Sequence, residues 1–222
     1  MRKVLVLGGS GDIGRAISKI FANDNLVSVG SNDIDLSDSQ SIKKFIKYNN
    51  NFDVIINSVG YNVLGEFESL TQEQIVRSVQ INLLGFLPII HSNIEYWKTT
   101  KTGKLVLISS LYGIFSRKSR TPYVISKHGL IGLMKTLAIE LAEFGVMVNS
   151  VTPGYIDTKL TLRNNTAAML HKLTKGIPVG RLGTAEEIAY AVEFLTNNKN
   201  TYINGHDLIV DGGFSIGGFQ NL

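Results

Sequence analysis

The feature that most constrains the fold is a regular alternation of short apolar segments with amphipathic helical patterns. Strands are predicted at 4–7, 26–29, 53–57, 104–109, 147–151 and 207–210, and helices near 14–23, 38–48, 71–97, 123–143 and 184–196. Thr71 with Gln74 and Thr184 with Glu187 have the spacing of helix-initiating capping boxes. The strand segments are apolar almost throughout, as expected when both faces of a sheet are covered. The pattern therefore predicts an α/β domain over residues 1–222, with a doubly wound parallel sheet and helices on both faces.

A glycine-rich turn follows the first predicted strand and leads directly into the first predicted helix. Gly9, Gly11 and Gly14 match the spacing of the dinucleotide-binding fingerprint of Rossmann-like folds. Glycines let the backbone approach a pyrophosphate, whose charge is met by free N–H groups at the helix start. The predicted cofactor contacts in this turn are Gly8, Ser10, Gly11, Asp12, Ile13 and Gly14.

A tyrosine and a lysine four residues apart mark the predicted helix 123–143. Tyr123 and Lys127 would point the same way on a helix, so the phenol and the ammonium can lie together. A fixed ammonium lowers the pKa of a phenol, and a shift of about three units would make Tyr123 an acid or base near neutrality. Tyr155 and Lys159 have the same spacing but follow a Pro-Gly turn, where that spacing does not align side chains.

The composition excludes several other functions. The chain has no cysteine and four scattered histidines, so we expect no metal site. A net charge of +4 without a concentrated basic region predicts no nucleic-acid partner, and the run from Arg117 to Arg120 is interpreted as a solvated loop. With no signal peptide and no run of eighteen apolar residues, we expect a cytoplasmic protein with no membrane partner.

Together these motifs resemble the short-chain dehydrogenase/reductase family, in its single-domain form, over nearly the whole chain. The glycine turn resembles its cofactor loop, and Ser110, Tyr123 and Lys127 its catalytic residues. Further matches are Asp35-Leu36, Asn57-Ser58-Val59-Gly60, Asn82 within Ile81–Leu83, Pro153-Gly154-Tyr155-Ile156-Asp157-Thr158, Ile177-Pro178, Gly180–Gly183 and Val210–Gly213.

The resemblance implies an enzyme that transfers a hydride between a nicotinamide cofactor and a carbonyl or secondary alcohol. It implies that Tyr123 exchanges the proton, Lys127 lowers its pKa and holds the nicotinamide ribose, Ser110 binds the substrate oxygen, and Asn82 supports a water relay. It also implies a homo-oligomer, dimeric or tetrameric, formed through the 71–97 and 123–143 helices. The implied cofactor contacts outside the glycine turn are Asp35, Leu36, Asn57, Gly60, Tyr123, Lys127, Pro153, Gly154, Ile156 and Thr158.

The sequence also departs from the family pattern. Asp12 stands where a middle glycine is usual, and only about four residues separate the second strand from Asp35, so the usual second helix is expected to be missing. The second strand ends in Gly30-Ser31-Asn32, with no carboxylate before Asp33. Small polar residues such as Ser31 and Asn32 leave room for a 2′-phosphate, which favours NADP(H) slightly over NAD(H).

The substrate is expected to meet a loop at 159–176, whose apolar and basic residues suit a lid. Overall the sequence is most similar to 3-oxoacyl-carrier-protein reductases, although Phe144 stands where an arginine that serves carrier-protein docking is common. A small-molecule ketone or alcohol is the predicted substrate. Two alternatives remain: a nucleotide-sugar epimerase or dehydratase, and a dinucleotide-sensing protein without catalysis.

Overall fold

The computed structural model describes residues 1–218, so the last four positions of the predicted domain lie outside the described residues. One six-stranded sheet has the order β2-β1-β3-β4-β5-β6, and every pairing is parallel. The strands are β1 Lys3–Leu7, β2 Asn25–Val29, β3 Val54–Asn57, β4 Gly103–Ile108, β5 Val146–Pro153 and β6 Asp207–Val210. The helices are α1 Asp12–Ile20, α2 Ser39–Tyr48, α3 Gln72–Val79, α4 Leu87–Thr100, α5 Thr121–Glu140, α6 Lys159–Arg163, α7 Ala167–Lys175 and α8 Ala185–Thr196.

Helices cover both faces of the sheet, as the apolar strands predicted. Successive strand residues belong to different cores: Leu5 and Leu7 pack with residues of α2, α4 and α5. Val4 and Val6 pack on the opposite face with residues of α1 and α8. The doubly wound parallel fold is confirmed, and the carboxyl ends of all its strands lie along one edge.

The predicted missing helix corresponds to a short turn. After β2 the chain bends through residues 30–34, where Asp33 N–H and Ile34 N–H donate to the carbonyl of Gly30 at 3.0 and 3.1 Å. Helix α2 begins only after Asp38, whose carboxylate accepts from the N–H groups of Gln40 and Ser41. In the described sheet β2 is an edge strand, paired only with β1, and no helix lies between β2 and Asp35.

The predicted helix 71–97 is interrupted. A π-helical turn at Gln80–Leu84 separates α3 from α4, and Pro88 lies in the first turn of α4. An 18-residue window of the helical run Gln72–Thr100 has a mean hydropathy of 1.2 and is long and apolar enough to cross a membrane, with 33% of the window buried. Ile89, Ile90 and Trp97 of this run belong to the buried core.

Local sequence patterns predicted the positions of most helices and strands to within a few residues. Both capping boxes form, with reciprocal hydrogen bonds between Thr71 and Gln74 and between Thr184 and Glu187. The segment 159–176 differs from the expected loop because it contains α6 and α7, capped by the Thr158 and Thr166 side chains.

Candidate active site

A cleft of about 840 Å³ opens at the carboxyl edge of the sheet, within the size range of cofactor and substrate sites. It lies where the chain leaves β1 for β2 on one side and β3 for β4 on the other, the place where parallel sheets of this kind bind ligands. Three predicted site residues, Asn32, Asn57 and Asn82, do not line it. Those that do are Gly8, Ser10, Gly11, Asp12, Ile13, Gly14, Ser31, Asp35, Leu36, Gly60, Ser110, Tyr123, Lys127, Pro153, Gly154, Ile156 and Thr158.

The glycine turn has the backbone geometry that a dinucleotide needs. Gly8 has φ 81°, a left-handed conformation that favours glycine. A Cβ on Gly14 would lie 2.1 Å from the carbonyl oxygen of Gly8, so α1 can approach the turn only because that position lacks a side chain. Gly11 caps α1 without a side-chain hydrogen bond, which leaves the N–H groups of the first turn free for an anion. These residues fit a nicotinamide dinucleotide.

Asp12, the departure from the usual glycine, has a structural role. Its carboxylate pairs with Arg15 and accepts the backbone N–H of Lys159 at 2.7 Å. The glycine turn is therefore tied directly to the start of α6 in the predicted substrate segment.

Polar side chains at the end of β2 shape the neighbouring wall. Asp33 accepts the backbone N–H of Gly30 at 2.8 Å, and Asp35 accepts both the N–H and the hydroxyl of Ser37. These hydrogen bonds from Ser37 lower the pKa of Asp35. Asp33 is thus engaged by the turn, and Ser31 faces the cleft while Asn32 is exposed outside it.

Asn57, the last residue of β3, is 1% exposed and lies behind the cleft wall. Its Oδ1 accepts the N–H of Val59 at 3.2 Å, and its Nδ2 has no acceptor within residues 1–218. Asn57 therefore shapes the turn that presents Gly60, and direct contact with a cofactor stays a prediction.

Three predicted catalytic side chains converge in the cleft from two elements. Ser110 follows β4, Tyr123 and Lys127 belong to α5, and all three side chains line the cleft. The ammonium of Lys127 lies 5.5 Å from the centre of the Tyr123 ring. It donates to the backbone carbonyls of Ile108 at 2.8 Å and Val59 at 3.2 Å. The predicted proximity of phenol and ammonium is present in the structure.

The predicted lowering of the tyrosine pKa is wrong for this structure. Burial raises the pKa of Tyr123 to about 12, and the hydrogen bond from Ser110 and the charge of Arg120 only partly oppose it. Burial also lowers the pKa of Lys127 to about 7, so its charge is weakened near neutrality. Tyr123 therefore remains a protonated phenol near neutrality, and the Lys127 ammonium donates to two backbone carbonyls.

Asn82 is fully buried in the π-helical turn beside α5. Its amide exchanges two hydrogen bonds of 2.7 Å with the backbone of Tyr61, and its Nδ2 also reaches the Ser126 hydroxyl at 3.1 Å. Its side chain is engaged by protein groups, and its role in a proton relay stays a prediction.

The segment after β5 lines the opposite wall. Tyr155 contributes its hydroxyl, 3.5 Å from that of Tyr112, while Thr158 caps α6 and Ile156 is buried beside Gly183. Lys159 begins α6, so Tyr155 and Lys159 do not share a helix, in agreement with the rejection of that pair.

The basic run differs from the solvated loop that was expected. Lys118 is exposed, but Arg117 and Arg120 both line the cleft, and Arg120 is only 7% exposed. Ser119 has φ 64°, and its hydroxyl donates a hydrogen bond to Glu66 at 2.8 Å. The chain therefore turns between Arg117 and Arg120. No local pattern signals this geometry, because it depends on a contact with a residue 53 positions away.

Comparison with known proteins agrees with this geometry. Residues 14–215 match the family model described as enoyl-(acyl carrier protein) reductase. The chain is 31% identical to the 3-oxoacyl-[acyl-carrier-protein] reductase FabG of Chlamydia muridarum, covering 96% of this chain and 97% of the relative. It is 34% identical to carbonyl reductase family member 4 of Xenopus tropicalis, covering 95% and 97%.

A solved structure from Beutenbergia cavernae, described as an NAD(P)-dependent gluconate 5-dehydrogenase with bound NADP, superposes with a TM-score of 0.89. It shares 26% identity, with 97% of each chain covered. These relatives are named as reductases and dehydrogenases, which favours hydride transfer over the epimerase and sensor alternatives. The chain belongs to the short-chain dehydrogenase/reductase family, close to its 3-oxoacyl-[acyl-carrier-protein] reductases, and is an NAD(P)-dependent oxidoreductase of carbonyl and alcohol groups.

Proposed function

We propose that the protein is an NADPH-preferring ketoreductase in which Tyr123 is the proton donor. The observation that carries the proposal is the convergence of Ser110, Tyr123 and Lys127 in one cleft with the glycine turn. The expected outcome is reduction of a small ketone to a secondary alcohol.

The chemistry divides between cofactor and chain. A bound nicotinamide supplies the hydride, which adds to the carbonyl carbon of the substrate. Tyr123 gives its phenolic proton to the developing alkoxide, which is a much stronger base than a phenolate, so a pKa near 12 suits the donor. Ser110 donates a hydrogen bond to the same oxygen and stabilises the charge that builds on it.

Lys127 is proposed to hold the nicotinamide ribose and to increase in charge when the cofactor binds. Its two carbonyl partners, Val59 and Ile108, fix the ammonium beneath the cleft floor. Asn82 is proposed to support the path by which Tyr123 regains its proton, because its amide holds the Tyr61 backbone through two hydrogen bonds.

The preference for NADPH is supported by the end of β2. Asp33 accepts the N–H of Gly30 and does not line the cleft, whereas the small residue Ser31 does. Arg77 also lines this end of the cleft and adds positive charge. A relative described with bound NADP is consistent with this choice.

We further propose a cytoplasmic homo-oligomer, dimeric or tetrameric. Large apolar side chains are exposed on the predicted interface helices, where a second copy would cover them: Val76, Leu84, Ile125 and Ile139. The helices α6 and α7 are proposed as the substrate lid, because Leu160 lines the cleft and the apolar side chains of Leu162 and Met169 are also exposed.

The test is oxidation of NADPH and of NADH followed against 3-oxoacyl thioesters, small ketones and keto-sugars. We expect turnover with at least one ketone class and a higher kcat/KM for NADPH than for NADH. Equal or better use of NADH would refute the cofactor preference. Absence of turnover with every carbonyl compound, despite NADPH binding, would refute the ketoreductase assignment.

A further inference from the structure

We propose that Arg117 and Arg120 form a carboxylate-binding subsite, so that the physiological substrate is a small oxo acid. The inference rests on the proposed ketoreductase function and specifies its substrate class. In the reduction, hydride adds to the ketone carbon, the Tyr123 proton goes to its oxygen, and the carboxylate stays unchanged on the arginines.

The first observation is a buried cation without a counter-ion. Arg120 is 93% buried and lines the cleft, and its guanidinium has no hydrogen-bond acceptor or carboxylate partner within residues 1–218. Burial lowers the pKa of Arg120, because desolvation disfavours the charged form. A buried charge of this kind is normally paired, and the open side of Arg120 is the cleft.

The position of Arg120 on its helix strengthens the requirement for an anion. Arg120 caps the amino terminus of α5, where the helix dipole favours negative charge and disfavours a cation. An anion bound in the cleft at this point would be stabilised by both the guanidinium and the helix terminus. The chain therefore places a cation where a bound anion would stabilise it.

Arg117 provides a second donor beside the first. Its Nη1 donates to the Tyr112 hydroxyl at 3.0 Å, and its Nη2 reaches the sulfur of Met169 in α7 at 3.6 Å. Burial opposes its charge, but the hydrogen bond and the attraction of Tyr112 outweigh burial and raise its pKa. Arg117 is thus a fixed cation between the cleft and the lid.

The charges around the cleft match an anionic substrate. Among the described lining residues the carboxylates are Asp12, paired with Arg15, and Asp35, bonded to Ser37 at the opposite end. Arg117, Arg120, Lys159 and Arg163 also line the cleft, and the Asp12 carboxylate that accepts the Lys159 N–H is already paired with Arg15. This bias would also attract an anion from solution.

The spacing indicates a small molecule. The Tyr112 ring packs edge-on against Tyr123 with centroids 6.3 Å apart, and the Tyr112 hydroxyl contacts Arg117. The Tyr112 ring therefore lies between the Arg117 guanidinium and Tyr123, the proposed proton donor. Aromatic side chains of Phe115, Tyr155 and Phe214 close the space around it. A planar guanidinium matches a carboxylate through paired N–H donors.

The test compares each oxo acid with its uncharged methyl ester. Reduction of acetoacetate and levulinate is measured beside their methyl esters, and we expect kcat/KM to favour the better acid over its ester by about 10- to 100-fold. In Arg120→Gln and Arg117→Gln this ratio should fall towards unity, with Arg120→Lys intermediate because it keeps charge but not the planar donor pair. The exposed Lys118→Gln in the same run is the matched control and should keep the wild-type ratio. Thermal melts verify that each variant is folded.

Binding without turnover gives an independent readout. Levulinate is titrated calorimetrically into the NADP⁺-saturated protein, where no hydride is available, and Kd should rise at least tenfold in Arg120→Gln. An acid-to-ester ratio near unity in the wild type, or equal losses for acid and ester in both arginine variants, overturns the subsite. Preference for dihydroxyacetone phosphate over every oxo acid overturns the carboxylate assignment. If no carbonyl compound is reduced but levulinate binding still depends on Arg120, the ketoreductase function fails and the subsite stands.

Discussion

The two ends of the cleft differ in how completely the protein satisfies its own polar groups. At the nucleotide end Asp12, Asp33 and Asp35 each accept hydrogen bonds from nearby residues of the chain. At the substrate end Arg120 has no partner within residues 1–218, and the side-chain oxygens of Asn62 and Asn165 are buried without a donor. The carboxylates at the nucleotide end are thus held by local hydrogen bonds, whereas Arg120 at the substrate end is left for the proposed carboxylate ligand.

Removal of the Tyr123 hydroxyl alone should separate the function of the substrate end from that of the nucleotide end, and it has the largest expected effect. Tyr123→Phe should lower kcat/KM by about 10²- to 10⁴-fold, because the proton donor is lost while the ring still packs against Tyr112. NADPH affinity, measured by fluorescence titration, should remain close to that of the wild type. Tyr48→Phe, on an exposed residue at the end of α2, is the control. If Tyr123→Phe retains most of the rate, another group donates the proton.

The burial of Lys127, which lies between the two ends of the cleft, is tested by the pH dependence of stability. Burial lowers the pKa of Lys127 from 10.5 to about 7, so between about pH 7 and 10 the unfolded chain holds a proton that the folded chain lacks. The free energy of unfolding should therefore rise with pH in this window, by on the order of 3 kcal/mol relative to Lys127→Met. Urea denaturation of both proteins without cofactor measures the difference. Parallel pH profiles would mean that the lysine is not desolvated in solution.

The smallest expected effect is confined to the nucleotide end. Gly14→Ala places a Cβ 2.1 Å from the Gly8 carbonyl, which must move, so the free energy of unfolding should fall by about 1–3 kcal/mol. NADPH binding should weaken by about tenfold or more, since the turn that presents the N–H groups is displaced. Gly132→Ala in α5 has no atom within 4 Å of the added Cβ and should be stabilising by about 0.5–1 kcal/mol. Unchanged NADPH affinity in Gly14→Ala would show that the turn does not bind the cofactor.

Most of the framework could be predicted from the sequence because its signals are local. Apolar strands, capping boxes such as Thr71 with Gln74, and the glycine turn are each defined by a few neighbouring residues. The missing helix before Asp35 could be predicted for the same reason, since chain length alone excludes it. The nearness of Tyr123 and Lys127 follows from helical spacing, which the structure preserves.

The remaining features depend on contacts between distant residues. Arg120 turns inward because Ser119, in a left-handed conformation, is held by Glu66. The raised pKa of Tyr123 follows from burial, and no sequence pattern gives the depth of a side chain. The helices α6 and α7 were missed because the short runs between their caps carry little periodicity.

The hydrogen bonds of Asn82 have a mechanical consequence. The Asn82 amide joins the π-helical turn to the backbone of Tyr61, which follows β3. The same amide bonds to Ser126, which lies in α5 between Tyr123 and Lys127. Displacing any one of these segments breaks bonds in the others, because the amide is shared. The shared amide therefore links three segments beside the reacting groups, whereas α6, α7 and the loop from Arg117 to Arg120 lie outside this hydrogen-bond network.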